Sequence, residues 1–115
     1  LLNKENGSQL VTGVTIVRSD FLKENEEAVK LFIEDHKASA AYTSEHLDEA
    51  AEMVAALGIV EKAPIAKKAM PACNIVCITG EEMKSALSGY LSVLEAADAK
   101  SVGGQLPADD FYYLP

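Results

Sequence analysis

The residues of this chain that could do chemistry are two cysteines, two histidines, a glycine ahead of a helix and several carboxylates. Cys73 and Cys77 stand four apart in the run Cys73-Asn74-Ile75-Val76-Cys77-Ile78-Thr79, whose β-branched composition reads as a short strand. Alternation along a strand puts both thiols on one face, too far apart to bridge. Both therefore read as small core residues rather than as a disulfide, a metal pair or a redox motif. His36 and His46 lack the His-Glu-x-x-His spacing of a zinc protease, and no Gly-x-Ser-x-Gly elbow offers a serine nucleophile. His36 falls on the apolar side of a helix as a packing residue, and His46 reads as an exposed residue at a helix start. Gly80 precedes a helix but lies in neither of the glycine-rich phosphate patterns, and Glu81 and Glu82 would repel an anion there. The carboxylates Glu24, Glu26 and Glu27, then Glu45, Asp48, Glu49 and Glu52, fit helix starts and polar faces, where solvation accounts for them. No catalytic set emerges, so the chain is not read as an enzyme.

Those residues must be positioned by a small, aliphatic framework. The chain has 115 residues, 49% hydrophobic and only 6% aromatic, with no Trp, which supports one modest core built from aliphatic side chains and alanine. A formal charge of -8 would repel a phosphate backbone, so nucleic acid is excluded as a partner. Charged residues interrupt every apolar run before the roughly 18 residues of a membrane span, so the chain reads as soluble. Leu1 to Gln9 shows neither a basic n-region nor an apolar h-region. With a first residue that is not Met, the chain reads as a piece of a longer protein, and residues 1–9 as a disordered or linking segment.

Along the chain the period changes several times. Leu10, Val11, Val14, Ile16 and Val17, with Thr12 and Thr15, have strand composition; Gly13 in their midst suggests a bend or a close backbone approach. A short turn follows at Asp20 to Lys23, and Asn25 can cap a helix opening on Glu26 and Glu27. Val29, Phe32, Ile33, His36, Ala40 and Ala41 keep helical spacing, predicting a buried face to about Tyr42. A second helix is expected from Leu47 to Leu57 with Gly58 at its C′ position, and a third over Ile65 to Met70 after Pro64. After the second strand, Thr79 and Glu82 have capping-box spacing, and Met83, Ala86, Leu87, Tyr90, Leu91 and Leu94 form the cleanest stripe in the sequence. Residues 101–115 read as a tail whose Phe111, Tyr112 and Tyr113 would be costly to expose together, so they are expected to dock on a neighbouring surface. Two strand-to-helix joins make the expected class α/β, helix-rich with two short strands.

The order of segments adds a resemblance. Val-Thr-Gly-Val-Thr-Ile-Val-Arg-Ser-Asp-Phe-Leu-Lys-Glu-Asn-Glu-Glu-Ala-Val-Lys-Leu-Phe-Ile at 11–33 resembles the solute-binding proteins of bacterial ABC transporters, in the nitrate/sulfonate/taurine and thiamine-pyrimidine-precursor branch. The stretches Ala69 to Met83 and Ser101 to Tyr113 are similar to C-terminal segments of that branch. The resemblance covers the chain from Leu10 onward and lies in the ordered set rather than in any one motif. One departure is Asn25-Glu26, where the family has Asn-Pro; Glu suits a first turn as well.

The resemblance implies the C-terminal portion of a two-lobe, periplasmic-binding-protein-like α/β fold, with residues 10–100 as a partial lobe and 101–115 docking on it. It implies an extracytoplasmic, periplasmic or lipid-anchored component of an importer, which closes on a small organic or inorganic ligand and delivers it to a membrane permease. No cofactor is implied, and membrane attachment would come only through an anchor or the permease. Thr12, Gly13 and Thr15 would line the inter-lobe cleft if their strand crosses between lobes, and Asn74 is the polar side chain at the entrance of the second strand. The same four also have plain structural explanations: Thr suits strands, Gly a bend and Asn a strand-edge hydrogen bond. Two other functions stay open. One is an enzyme of the same fold that makes the thiamine pyrimidine, whose cysteine-rich iron motif Cys73 and Cys77 do not match. The other is a helical interaction domain.

Overall fold

The structure, a computed structural model, describes residues 8–115. Five α-helices carry it: α1 (Ser19–Glu24), α2 (Glu26–Glu45), α3 (Leu47–Ala56), α4 (Ala63–Ala69) and α5 (Gly80–Ala97), with 3₁₀ turns at Met70–Ala72, Ala99–Val102 and Asp109–Phe111. No β-ladder forms among the described residues, so the class is all-α and the expected α/β fold with two strands is overturned. The segments expected as strands, 10–18 and 73–79, contain no strand residue. β-Branched residues supply propensity, but a strand exists only when a second backbone accepts and donates its ladder bonds. The described residues thus do not form the C-terminal portion of a two-lobe α/β fold. Of the expected linker 1–9, residues 1–7 lie outside the described residues.

The chain divides into two units, Ser19–Cys77 and Leu1–Arg18 with Ile78–Pro115.

In the Ser19–Cys77 unit, α3 packs on α4 through small side chains. Ala50, Ala51, Ala66 and Met70 form the buried cluster, with Tyr42, Leu47, Val54 and Val60 packed around it. Ala66 is 0% exposed and Ala51 1%, because alanine lets two helix backbones approach closely with little side chain between them. Pro64 sits in the first turn of α4, where its missing N–H costs nothing. Gly58 ends α3 in the left-handed region at φ 72°: its N–H donates to Ala55 O at 3.0 Å, and the Ile59 N–H to Val54 O at 3.1 Å. That pair of bonds satisfies the last carbonyls of the helix. The face of α2 is buried only in part. Val29 and Ala40 are buried, while Phe32 is 51% exposed and meets the half-buried His36 edge-on, with ring centroids 5.5 Å apart. Asn25 precedes α2 but makes no capping bond, its side chain donating instead to Phe21 O.

In the other unit, α5 places its stripe, Met83, Ala86, Leu87, Tyr90, Leu91 and Leu94, half-buried throughout. Thr79 takes the N-cap position with extended backbone but without the expected side-chain bond. The chain then reverses. Asp98 Oδ1 accepts from Lys100 N–H at 3.0 Å, Ser101 Oγ–H donates toward Asp98 O at 2.7 Å, and Gly104 N–H donates to Ala99 O at 2.8 Å with Gly103 at φ 80°. Beyond it Tyr112 is buried at 8% exposure, edge-on to Phe111.

Candidate functional site

The four residues singled out for ligand contact fall in different units. Thr12, Gly13 and Thr15 lie in the non-helical segment before α1 and are all exposed; Asn74, also exposed, follows the 3₁₀ turn Met70–Ala72 in the Ser19–Cys77 unit. Gly13 shows no close approach, since a Cβ built there would meet nothing within 4 Å. Asn74 has φ 51°, a left-handed conformation in which Asn is among the few side chains tolerated. It acts as a turn residue where the chain leaves α4. Cys73, expected in a core, is instead exposed, and its thiol donates to Ala69 O at 3.4 Å; Cys77 is half-buried, and both are free. No group of three or more His, Cys, Asp or Glu among the described residues could hold a metal ion. No helix among them is long and apolar enough to cross a membrane.

A polar cluster stands where α2 meets α3. The Tyr42 hydroxyl donates to Glu49 Oε2 at 2.6 Å, the Tyr42 and His46 rings stack at 4.4 Å and 20°, and His46 Nδ1 lies 3.9 Å from Glu49 Oε1. The helices make this possible because His46 alone separates them: its N–H donates to Tyr42 O, and its carbonyl accepts from Ala50 N–H, both at 2.9 Å. One residue thus ends α2 and starts α3. Asp48, Glu49, Ala51, Glu52, Ala63, Pro64 and Lys67 of α3 and α4 line an open depression, and Lys67 pairs with Asp48.

The chemistry of the cluster is that of a brace. The hydrogen bond to Glu49 raises the Tyr42 pKa above its ordinary value, followed by burial and by the Glu49 charge. A phenol held protonated this way is a weaker acid than a free one. Tyr42 and Glu49 lie seven residues apart across a helix junction, a spacing that local helical patterns do not pair. No sequence signal marks it, since α2 runs on through Thr43 and Ser44 to Glu45 and only His46 separates it from α3. A second contact missed by sequence reasoning is Lys84 Nζ to Asp109 Oδ1 at 2.9 Å, with the ammonium 5.9 Å from the Tyr112 ring centroid.

Comparison of the chain with protein-family models, with curated proteins and with solved structures finds no match in any of the three.

Proposed function

We propose that this chain forms part of the extracytoplasmic solute-binding component of an ABC importer, which takes up a small organic or inorganic ligand and passes it to a permease. The ordered resemblance of residues 11–33, 69–83 and 101–113 to that family supports the reading. The structural observation that carries it is the state of the segments in which the resemblance begins and continues. Leu10, Val14 and Ile16 are 65%, 61% and 84% exposed, and Ile75, Val76 and Ile78 are exposed as well. Apolar side chains in this density favour cover by about 25 cal/mol per Å² of area removed from water, and a larger binding protein would supply that cover. In this reading most of the ligand site lies on other polypeptide, and Thr12, Gly13 and Thr15 in one unit and Asn74 in the other are separate candidate contacts.

The test uses the intact binding protein that contains this chain. Thermal melting is followed against sulfonates, pyrimidines, nitrate and aromatic carboxylates, since a bound ligand raises the melting point by mass action. One class should raise it, and Thr12→Ala or Asn74→Ala should shrink the rise. No response to any class would overturn the reading, and full responses in both variants would remove these two residues from the site. A second reading, a helical interaction domain, is favoured by the alanine-lined α3–α4 core, which closes within its own unit. Cooperative melting of residues 1–115 alone would support it.

A further inference from the structure

We propose that residues 105–115 form a strap latched reversibly along α5, with Lys84 holding the Asp109 carboxylate and the Tyr112 ring at the same time. The path of the chain comes first. α5 ends at Ala97, the turn at Asp98 to Gly104 reverses direction, and Asp109 meets a lysine in the N-terminal half of the same helix. Lys84 stands 13 residues before the helix end, about 20 Å at 1.5 Å per residue, and the five steps from Gly104 to Asp109 span about 17 Å when extended. The tail therefore has the length to run back beside the helix as far as Lys84.

The attachment is polar at its centre. Lys84 is 27% exposed against 91% for Asp109, so the lysine is seated and the carboxylate arrives from solvent. The ammonium is also 5.9 Å from the centroid of Tyr112, within reach of the negative face of the ring. The Lys84 pKa is raised above its ordinary value, first by the hydrogen bond to Asp109. Of the three consecutive aromatics, only Tyr112 is buried; Phe111 is 59% exposed and Tyr113 half-buried. A single cation thus joins the buried ring and the carboxylate three residues before it. An exposed ion pair is a weak bond, easily opened, which makes the strap a reversible closure rather than part of a core.

Chymotrypsin, which cleaves after aromatic residues, reads this directly on the full 115-residue chain, with cleavage after Tyr112 quantified by mass spectrometry. Lys84→Ala should speed that cleavage about three-fold, the scale of an exposed charge pair. Lys84→Arg, which keeps a cation for both contacts, should restore the wild-type rate. The ratio of variant to wild type should close toward one at molar salt, where surface charges are screened. Equal rates for Lys84→Ala and wild type would overturn the proposal, as would Lys84→Arg cleaving as fast as Lys84→Ala. Should Lys84→Ala lower the helix signal in circular dichroism, Asp109→Asn decides, because it lies outside α5: faster cleavage upholds the latch and an unchanged rate overturns it.

Discussion

The α3–α4 pair and the α5–tail region solve the same problem, holding a helix against a neighbouring segment, with opposite materials. Between α3 and α4 the buried contact is Ala50, Ala51 and Ala66 with Met70 beside them, apolar and closed to water, and the Lys67–Asp48 pair lies only at its exposed rim. α5 contains no buried residue, and its tail is tied by Lys84, Asp109 and the ring of Tyr112. Close packing of small side chains is insensitive to salt and lost all at once when the shape changes. A charge latch is weak, screened by salt and released locally. The contrast predicts one region that resists opening and one that samples it.

The largest effect should come from Met70→Ala, which empties the one long side chain of the α3–α4 cluster and should cost about 2 to 3 kcal/mol in urea denaturation. A loss confined to the tail, or no loss, would break the contrast. Next come Gly58→Ala and Gly103→Ala. Each glycine has positive φ, and an added Cβ would meet nothing within 4 Å at either site, so about 1 kcal/mol of backbone strain is the whole cost. Hydrogen exchange should show the Gly58 variant loosening α3 and α4 together, and the Gly103 variant loosening only the segment beyond α5. Equal spread in both would show that the two regions are of one kind.

The smallest effect should come from Tyr42→Phe, which removes the hydroxyl bonded to Glu49. The folded-state pKa of Tyr42 is raised, so its contribution is present below the unfolded pKa of about 10 and lost as pH rises through the higher folded value. The variant should therefore show a flatter stability profile above about pH 10. Profiles of equal slope would remove the brace from the account of the α2–α3 junction.

The helices were legible because their signals are local. The stripe from Met83 to Leu94, Gly58 after α3 and Pro64 at the start of α4 all depend on residues within a turn or two, and α5 and α3 lie close to where those signals put them. Residues 10–18 and 73–79 were misread for the complementary reason: their β-branched composition states a preference, while a strand depends on a partner that no local pattern contains. The same distance hid Lys84 from Asp109. Thr12, Gly13, Thr15 and Asn74 lie in segments where no strand forms, and of the four only Asn74 has a conformation, φ 51°, that its residue type explains.

The single-residue junction at His46 makes α2 and α3 a pair of gears on one shaft. With no loop to absorb length, one residue inserted beside His46 would turn α3 by about 100° around its own axis. Seen from α2, Ala50 would take the direction of Ala51 and Glu49 that of Ala50, and Glu49 would lose its register with the Tyr42 hydroxyl, so this joint resists insertion more than substitution. Lineages of this sequence should accordingly vary in residue type at position 46 while keeping its length constant.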